Sequence, residues 1–138
     1  MSEAAAELMH IGEVVERTGL SHRTIRYYEE VGLLKPAGRT DGGFRLYDEG
    51  GIDRLLLIMP MKPLGFSIDE IRELLTASDT IADPTISDAE HAQARAILDA
   101  AHAQAETSIA ELKAATARAE AFTRRLGREI RAAGRPAR

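Results

Sequence analysis

The chain reads as a mainly helical protein: two short helices meeting at a tight turn, a small β-hairpin, two further helices and one long C-terminal helix. Three observations carry that expectation. A short amphipathic segment lies between two turn glycines, Gly19 and Gly32. The stretch 35–47 is punctuated by Pro36, Gly38 and Asp41-Gly42-Gly43 and ends in apolar–polar alternation. From Ser87 to Leu126 no proline or glycine interrupts the chain.

Residues 1–9 are rich in Ala and Glu and read as a flexible arm. His10, next in line, reads as an ordinary surface histidine. Ile11, Val14 and Val15 form one short helix face over 11–18, and Gly19 supplies the turn. Ser21 then caps a second helix, with Ile25 and Tyr28 facing inward and Gly32 as its stop. Two such helices across a glycine turn form a helix-turn-helix pattern. The outer face of the second helix collects His22, Arg23, Arg26 and Tyr27. Guanidinium forks beside a phenol suit a DNA groove, although a solvated amphipathic helix would look similar. Arg23 is the candidate for a base edge, because a bidentate guanidinium matches guanine; Arg26 and Tyr27 suit phosphate or mixed contacts. A hairpin through Phe44–Tyr47, appended to such a pair of helices, is a wing.

Ile52, Leu55, Leu56 and Met59 predict a third helix over 48–59, which Pro60 and Pro63 must end or bend near Met59. Ser67 and Glu70 form a capping box opening a fourth helix through Leu75. The domain so defined spans 10–76, and 77–86, with Pro84, reads as a linker. Ser87 and Glu90 repeat the capping box at the head of a helix over 87–127. Ser87 to Leu126 would extend about 60 Å at roughly 1.5 Å per residue, too long to pack on so small a domain. A 4,3 repeat includes Leu98, Ala101, Ala105, Leu112, Ala119, Phe122 and Leu126, a coiled-coil seam for dimerisation. Residues 88–111 carry one Arg against five acids, and 112–131 carry six bases against two. An antiparallel pair sets each acidic half against a basic one, although the same gradient also complements the helix dipole. A basic tail, 128–138, follows.

Composition narrows the chemistry. The 138 residues carry a net charge of −4, three Tyr, three Phe, no Trp and no Cys. No thiolate metal site or redox sulfur is available, and no cofactor or metal is expected. Catalytic triads, paired carboxylates and Gly-rich phosphate loops are absent, so an enzyme is not expected. No signal peptide or membrane span is evident, which points to the cytoplasm.

In order and at consistent spacing, Ile11-Gly12-Glu13, Thr18-Gly19-Leu20-Ser21, Arg23 to Glu29, Gly32-Leu33-Leu34, Gly43 to Tyr47 and Leu64 to Ile71 resemble the DNA-binding domain of the MerR family of bacterial transcriptional regulators. The resemblance covers about half the chain. It implies a winged helix-turn-helix dimerised through an antiparallel coiled coil on a palindromic promoter operator. It further implies DNA distortion that lets RNA polymerase engage promoter elements spaced too far apart. His22 and Thr24 fall where relatives vary and would tune the operator sequence; helix packing is the other role open to Thr24. Arg39, Gly43, Arg45 and Tyr47 match the wing, where relatives clamp the phosphate backbone. Arg39 and Arg45 could equally be solvated loop charges, and Tyr47 a core residue with its hydroxyl satisfied. Lys62 falls at a second-wing phosphate contact, just where the two prolines depart from the family pattern. Without cysteine, an effector would be a small organic ligand or another non-thiol input. Two other classes fit less well: an architectural, excisionase-like DNA-binding protein, and a coiled-coil adaptor that no longer binds DNA.

Overall fold

The corner between the first two helices is built from local bonds that the sequence encodes. Helix α1 (Ile11–Thr18) ends at Gly19, whose φ of +79° lets its N–H reach the Val15 carbonyl at 2.8 Å. Thr18, buried at that corner, donates to the Val14 carbonyl and accepts from the Leu20 N–H. Helix α2 (His22–Glu30) opens on Ser21, whose hydroxyl accepts from the Thr24 N–H at 3.1 Å. Its inward residues, Ile25 and Tyr28, are fully or nearly buried. The structure, a computed structural model, describes residues 7–134.

The wing is a three-stranded antiparallel sheet in the order β1 (Met9–His10), β3 (Arg45–Tyr47), β2 (Gly38–Arg39). The hairpin pairs Gly38 with Leu46 and Arg39 with Arg45. On the other edge of β3, Met9 pairs with Tyr47 and His10 with Leu46. Met9 is therefore not the end of an arm but a buried strand residue. The cause is non-local: β3 has two hydrogen-bonding edges, and the hairpin fills only one. Of the rest of the expected arm, Glu7 and Leu8 are exposed and precede the strand without regular structure, and 1–6 lies outside the described residues.

Helix α3 (Glu49–Ile58) starts on Asp48, which accepts from the Gly51 N–H, and its Ile52, Leu55 and Ile58 are buried. It stops where the prolines require. Met61 and Phe66 then bond the carbonyls of Ile58 and Met61, and Gly65 (φ +91°) turns the chain into the next helix. Pro60 and Pro63 cost nothing here, because no helix continues through them. Helix α4 (Ile68–Ile81) carries the expected capping box, with Ser67 and Glu70 bonded at 2.8 and 3.1 Å. It runs past Leu75 to Ile81, five residues into the stretch read as linker, because Ala77 is buried and no breaker occurs before Pro84. In the short connection that remains, Thr85 donates through its hydroxyl and its N–H to Asp83, which holds that carboxyl below the usual range.

Helix α5 (Asp88–Ala133) opens on a second capping box, Ser87 with Glu90, and passes through Gly127 without stopping. The chain divides into two compact units, Met1–Asp99 and Ala100–Arg138. In the first, buried side chains from α1 to α4 make one core, with Val14, Ile25, Leu55, Ile58 and Ile71 fully enclosed. In the second, no described side chain is buried, and Ile109, Leu112, Phe122, Leu126 and Ile130 are 41–69% exposed. Of the expected basic tail, 128–134 is described and largely helical; Arg135 and Arg138 lie outside the described residues.

Candidate nucleic-acid interface

Helix α2 presents the cations and buries the apolar residues, as its period requires. His22, Arg23, Arg26 and Tyr27 are exposed, whereas Thr24 is half-buried with its hydroxyl bonded to that of Ser21 at 3.0 Å. The proline turn returns to this helix: Lys62 Nζ stands 5.9 Å from the centroid of the Tyr27 ring. Arg23, Thr24, Tyr27, Tyr28 and Lys62 line one groove of about 420 Å³. The prolines thus leave Lys62 beside the candidate recognition helix.

Ion pairing sorts the basic residues of the first unit. Arg17 pairs with Glu49 between α1 and α3, which raises the arginine and holds the carboxyl below its usual range. Arg54 pairs with Asp79 at 3.1 Å; Arg72 pairs with Asp69 and donates to the Val31 carbonyl. Arg23, Arg26, Lys35, Arg39 and Lys62 have no acidic partner among the described residues. Apart from Lys35, these lie on α2, the wing and the turn after α3. Scaffold arginines are neutralised internally, and the uncompensated charge collects on one set of elements.

In the wing, Arg39 donates to the Gly43 carbonyl at 3.0 Å across a turn in which Gly43 has φ +86°. Phe44 stands out from that turn, 70% exposed, a position that sequence reasoning did not single out. Arg45 gives its Nε to Glu29 of α2, and the Tyr47 hydroxyl donates to the same carboxylate at 2.6 Å. Tyr47 is only 1% exposed. Of its two expected roles, the structure takes the core one: Tyr47 is not a surface clamp on phosphate, because its strand face points into the core and its hydroxyl is committed to Glu29. Glu29 was missed, yet it falls four residues after Ile25, on the inward face of α2.

Burial, then the bond to Glu29, pushes the Tyr47 phenol well above its ordinary value. The folded state holds that proton more tightly than the unfolded chain does. The stability involved is fully present below the ordinary phenol value and is lost as pH climbs from there toward the raised one. Tyr47→Phe leaves Glu29 one donor short and is expected to cost about 1–3 kcal/mol in urea unfolding. Ultraviolet titration of the wild type is expected to show Tyr47 ionising only with alkaline unfolding.

Residues 9–78 match the family described as MerR HTH family regulatory protein, and residues 52–120 match the one described as MerR, DNA binding. The chain belongs to the MerR family. Its matched families are transcriptional regulators, not enzymes. A stretch of 68 residues is 47% identical to an uncharacterized HTH-type transcriptional regulator of Pseudomonas aeruginosa, covering 49% of this chain and 52% of that protein. Another, of 67 residues, is 42% identical to the heavy metal-dependent transcription regulator 2 of Rhizobium meliloti, covering 49% of this chain and 46% of that one. This MerR-family chain spans about half the length of such curated relatives. Among solved structures, the transcription regulator PbrR691 of Ralstonia metallidurans, in complex with lead(II), is 36% identical, with a TM-score of 0.54 over 84% of this chain and 86% of its own. HiNmlR, a MerR family regulator lacking the sensor domain and bound to promoter DNA, has a TM-score of 0.68 over 93% and 96% at 24% identity, which supports the fold. Among the described residues no helix is long and apolar enough to cross a membrane.

Proposed function

We propose that this MerR-family chain is a dimeric regulator that sets two α2 helices in successive major grooves of a palindromic promoter operator. The observation that carries this reading is the gathering of acid-free cations, Arg23, Arg26, Arg39 and Lys62, on α2 and the two turns flanking it. Arg23 reads a base edge; Arg26, Arg39 and Lys62 hold phosphates and fix the register; His22 and Thr24 tune the sequence preference. Arg45 reaches the backbone from a position fixed by Glu29. Gly43 lets the wing turn approach closely. Two copies associate through the α5 seam of Leu98, Ala101, Ala105, Leu112, Ala119, Phe122 and Leu126, antiparallel, so that acidic and basic halves face each other. Bending and untwisting of the operator, offset by these backbone contacts, brings the promoter elements into register for RNA polymerase in the cytoplasm. The residues here include no cysteine, so an effector would act through organic or protein contacts rather than thiolates.

Binding of the purified protein to a random-sequence duplex library tests this. The expected product is a palindrome with half-sites about one helical turn apart. Four phosphate-bound cations per protomer, Arg26, Arg39, Arg45 and Lys62, give a log–log salt slope of about −7 for the dimer. Recovery of no preferred duplex above background would overturn the reading. The prolines that would favour a non-binding adaptor instead end α3 and leave Lys62 over Tyr27, which supports DNA binding.

A further inference from the structure

Phe44 stands at the tip of the wing, 70% exposed. Hydrogen bonds fix the backbone on both sides of it: the Thr40 N–H donates to the Phe44 carbonyl at 2.8 Å, the Phe44 N–H donates to the Thr40 hydroxyl at 3.1 Å, and Arg39 holds the Gly43 carbonyl. The ring lies back over Gly42, where a Cβ would come within 3.4 Å of it. It is therefore positioned before any partner arrives, which lowers the entropy lost in a contact. One exposed ring is ordinary on a protein surface, and its surroundings decide what it meets. Arg39 and Arg45 flank it along the hairpin, and Arg26 of α2 lines the same cleft of about 120 Å³. All three are assigned above to the DNA backbone. With Ile11, Phe44 gives that cleft a mainly apolar lining, which suits a neutral group rather than an anion. Along a nucleic-acid strand the neutral group between two phosphates is the sugar, and its C–H faces are the apolar part of the backbone.

We propose that Phe44 packs its ring on a deoxyribose of the operator backbone, a DNA contact whose contribution salt does not screen. This rests on the DNA-binding reading above. The cations around it gain affinity by displacing counterions from phosphates, and that gain falls as salt rises. A ring buried against C–H groups displaces only water, so its gain persists when the electrostatic part is screened. A sugar contact reads no base, so the gain is also the same on every sequence. Covering about half of the ring is worth roughly fivefold in affinity at each half-site.

The test compares wild type with Phe44→Ala, Phe44→Leu and Phe44→Trp on a duplex recovered by selection and on a random duplex, with Kd measured over a range of salt. Thermal unfolding, which should shift little at so exposed a position, checks that each variant is folded. Phe44→Ala is expected to weaken binding of the dimer to both duplexes by roughly 25-fold, with a log–log salt slope equal to that of the wild type. Phe44→Leu, still apolar, should recover most of that loss. The chain has no Trp, so Phe44→Trp carries a single reporter, whose emission should become shielded from acrylamide when duplex is added. Unchanged affinity in Phe44→Ala, or a tryptophan equally open to acrylamide with and without duplex, overturns the proposal. A loss confined to the selected duplex also overturns it, because the ring would then stand against bases. So does a flattened slope in Phe44→Ala, which would mean that the ring acts by placing the arginines. Absence of selective binding by wild type would overturn the DNA-binding reading itself, and this inference with it.

Discussion

Leu112→Asp combined with Leu126→Asp is expected to leave the protein monomeric and to weaken its binding to a two-half-site duplex by about 10²–10⁴-fold. Both side chains stand on the 4,3 seam of α5, 49% and 41% exposed, and nothing in their own unit covers them. Phe122 and Ile130 on the same helix are also 60% and 69% exposed, and in the proposed dimer this apolar face meets the partner's α5. Aspartates there would place two desolvated charges in the seam, facing the acidic half of an antiparallel partner. Losing the dimer makes the second half-site an independent binding event, which accounts for the size of the effect. Sedimentation gives the oligomeric state, and a single half-site duplex serves as control: its affinity should barely change. A double variant that remains dimeric would show that the seam lies elsewhere on α5.

Arg23→Ala is expected to weaken operator binding by roughly 10–100-fold per half-site and to relax base preference at one position of each. The side chain is exposed on α2, has no acidic partner and lines the groove it shares with Tyr27 and Lys62. Its removal leaves the core untouched, so thermal unfolding should shift little. Lys62→Ala provides the contrast. As a phosphate contact it should weaken all sequences about equally and flatten the salt slope by roughly 1 per protomer, leaving preference intact. Equal loss on specific and random duplexes for Arg23→Ala would assign that residue to the backbone instead.

Much of the fold was legible because the bonds that make it are local. Gly19, Ser21 and the two capping boxes, Ser67 with Glu70 and Ser87 with Glu90, are satisfied within four residues, so residue type and spacing suffice. The break at Pro60 was equally readable, since proline acts on its own turn. Arg23, Arg26 and Tyr27 could be put on one outward face by helical period alone. Where elements meet, the sequence was silent. Met9 joins the sheet because β3 offers a second edge, and α4 continues to Ile81 because Ala77 finds a buried place. The bond from Tyr47 to Glu29 spans 18 positions and selects the core role from the two that the sequence left open for Tyr47, on a carboxylate that also holds Arg45. Lys62 lies over Tyr27 only through the path of the turn between α3 and α4. The sequence by itself determined the helices, their caps and which charges face outward, because propensity, capping and periodicity act within a turn or two. Which of those charges stay free, and which are spent on the scaffold, only the tertiary structure decided, because an ion pair depends on the meeting of segments distant along the chain.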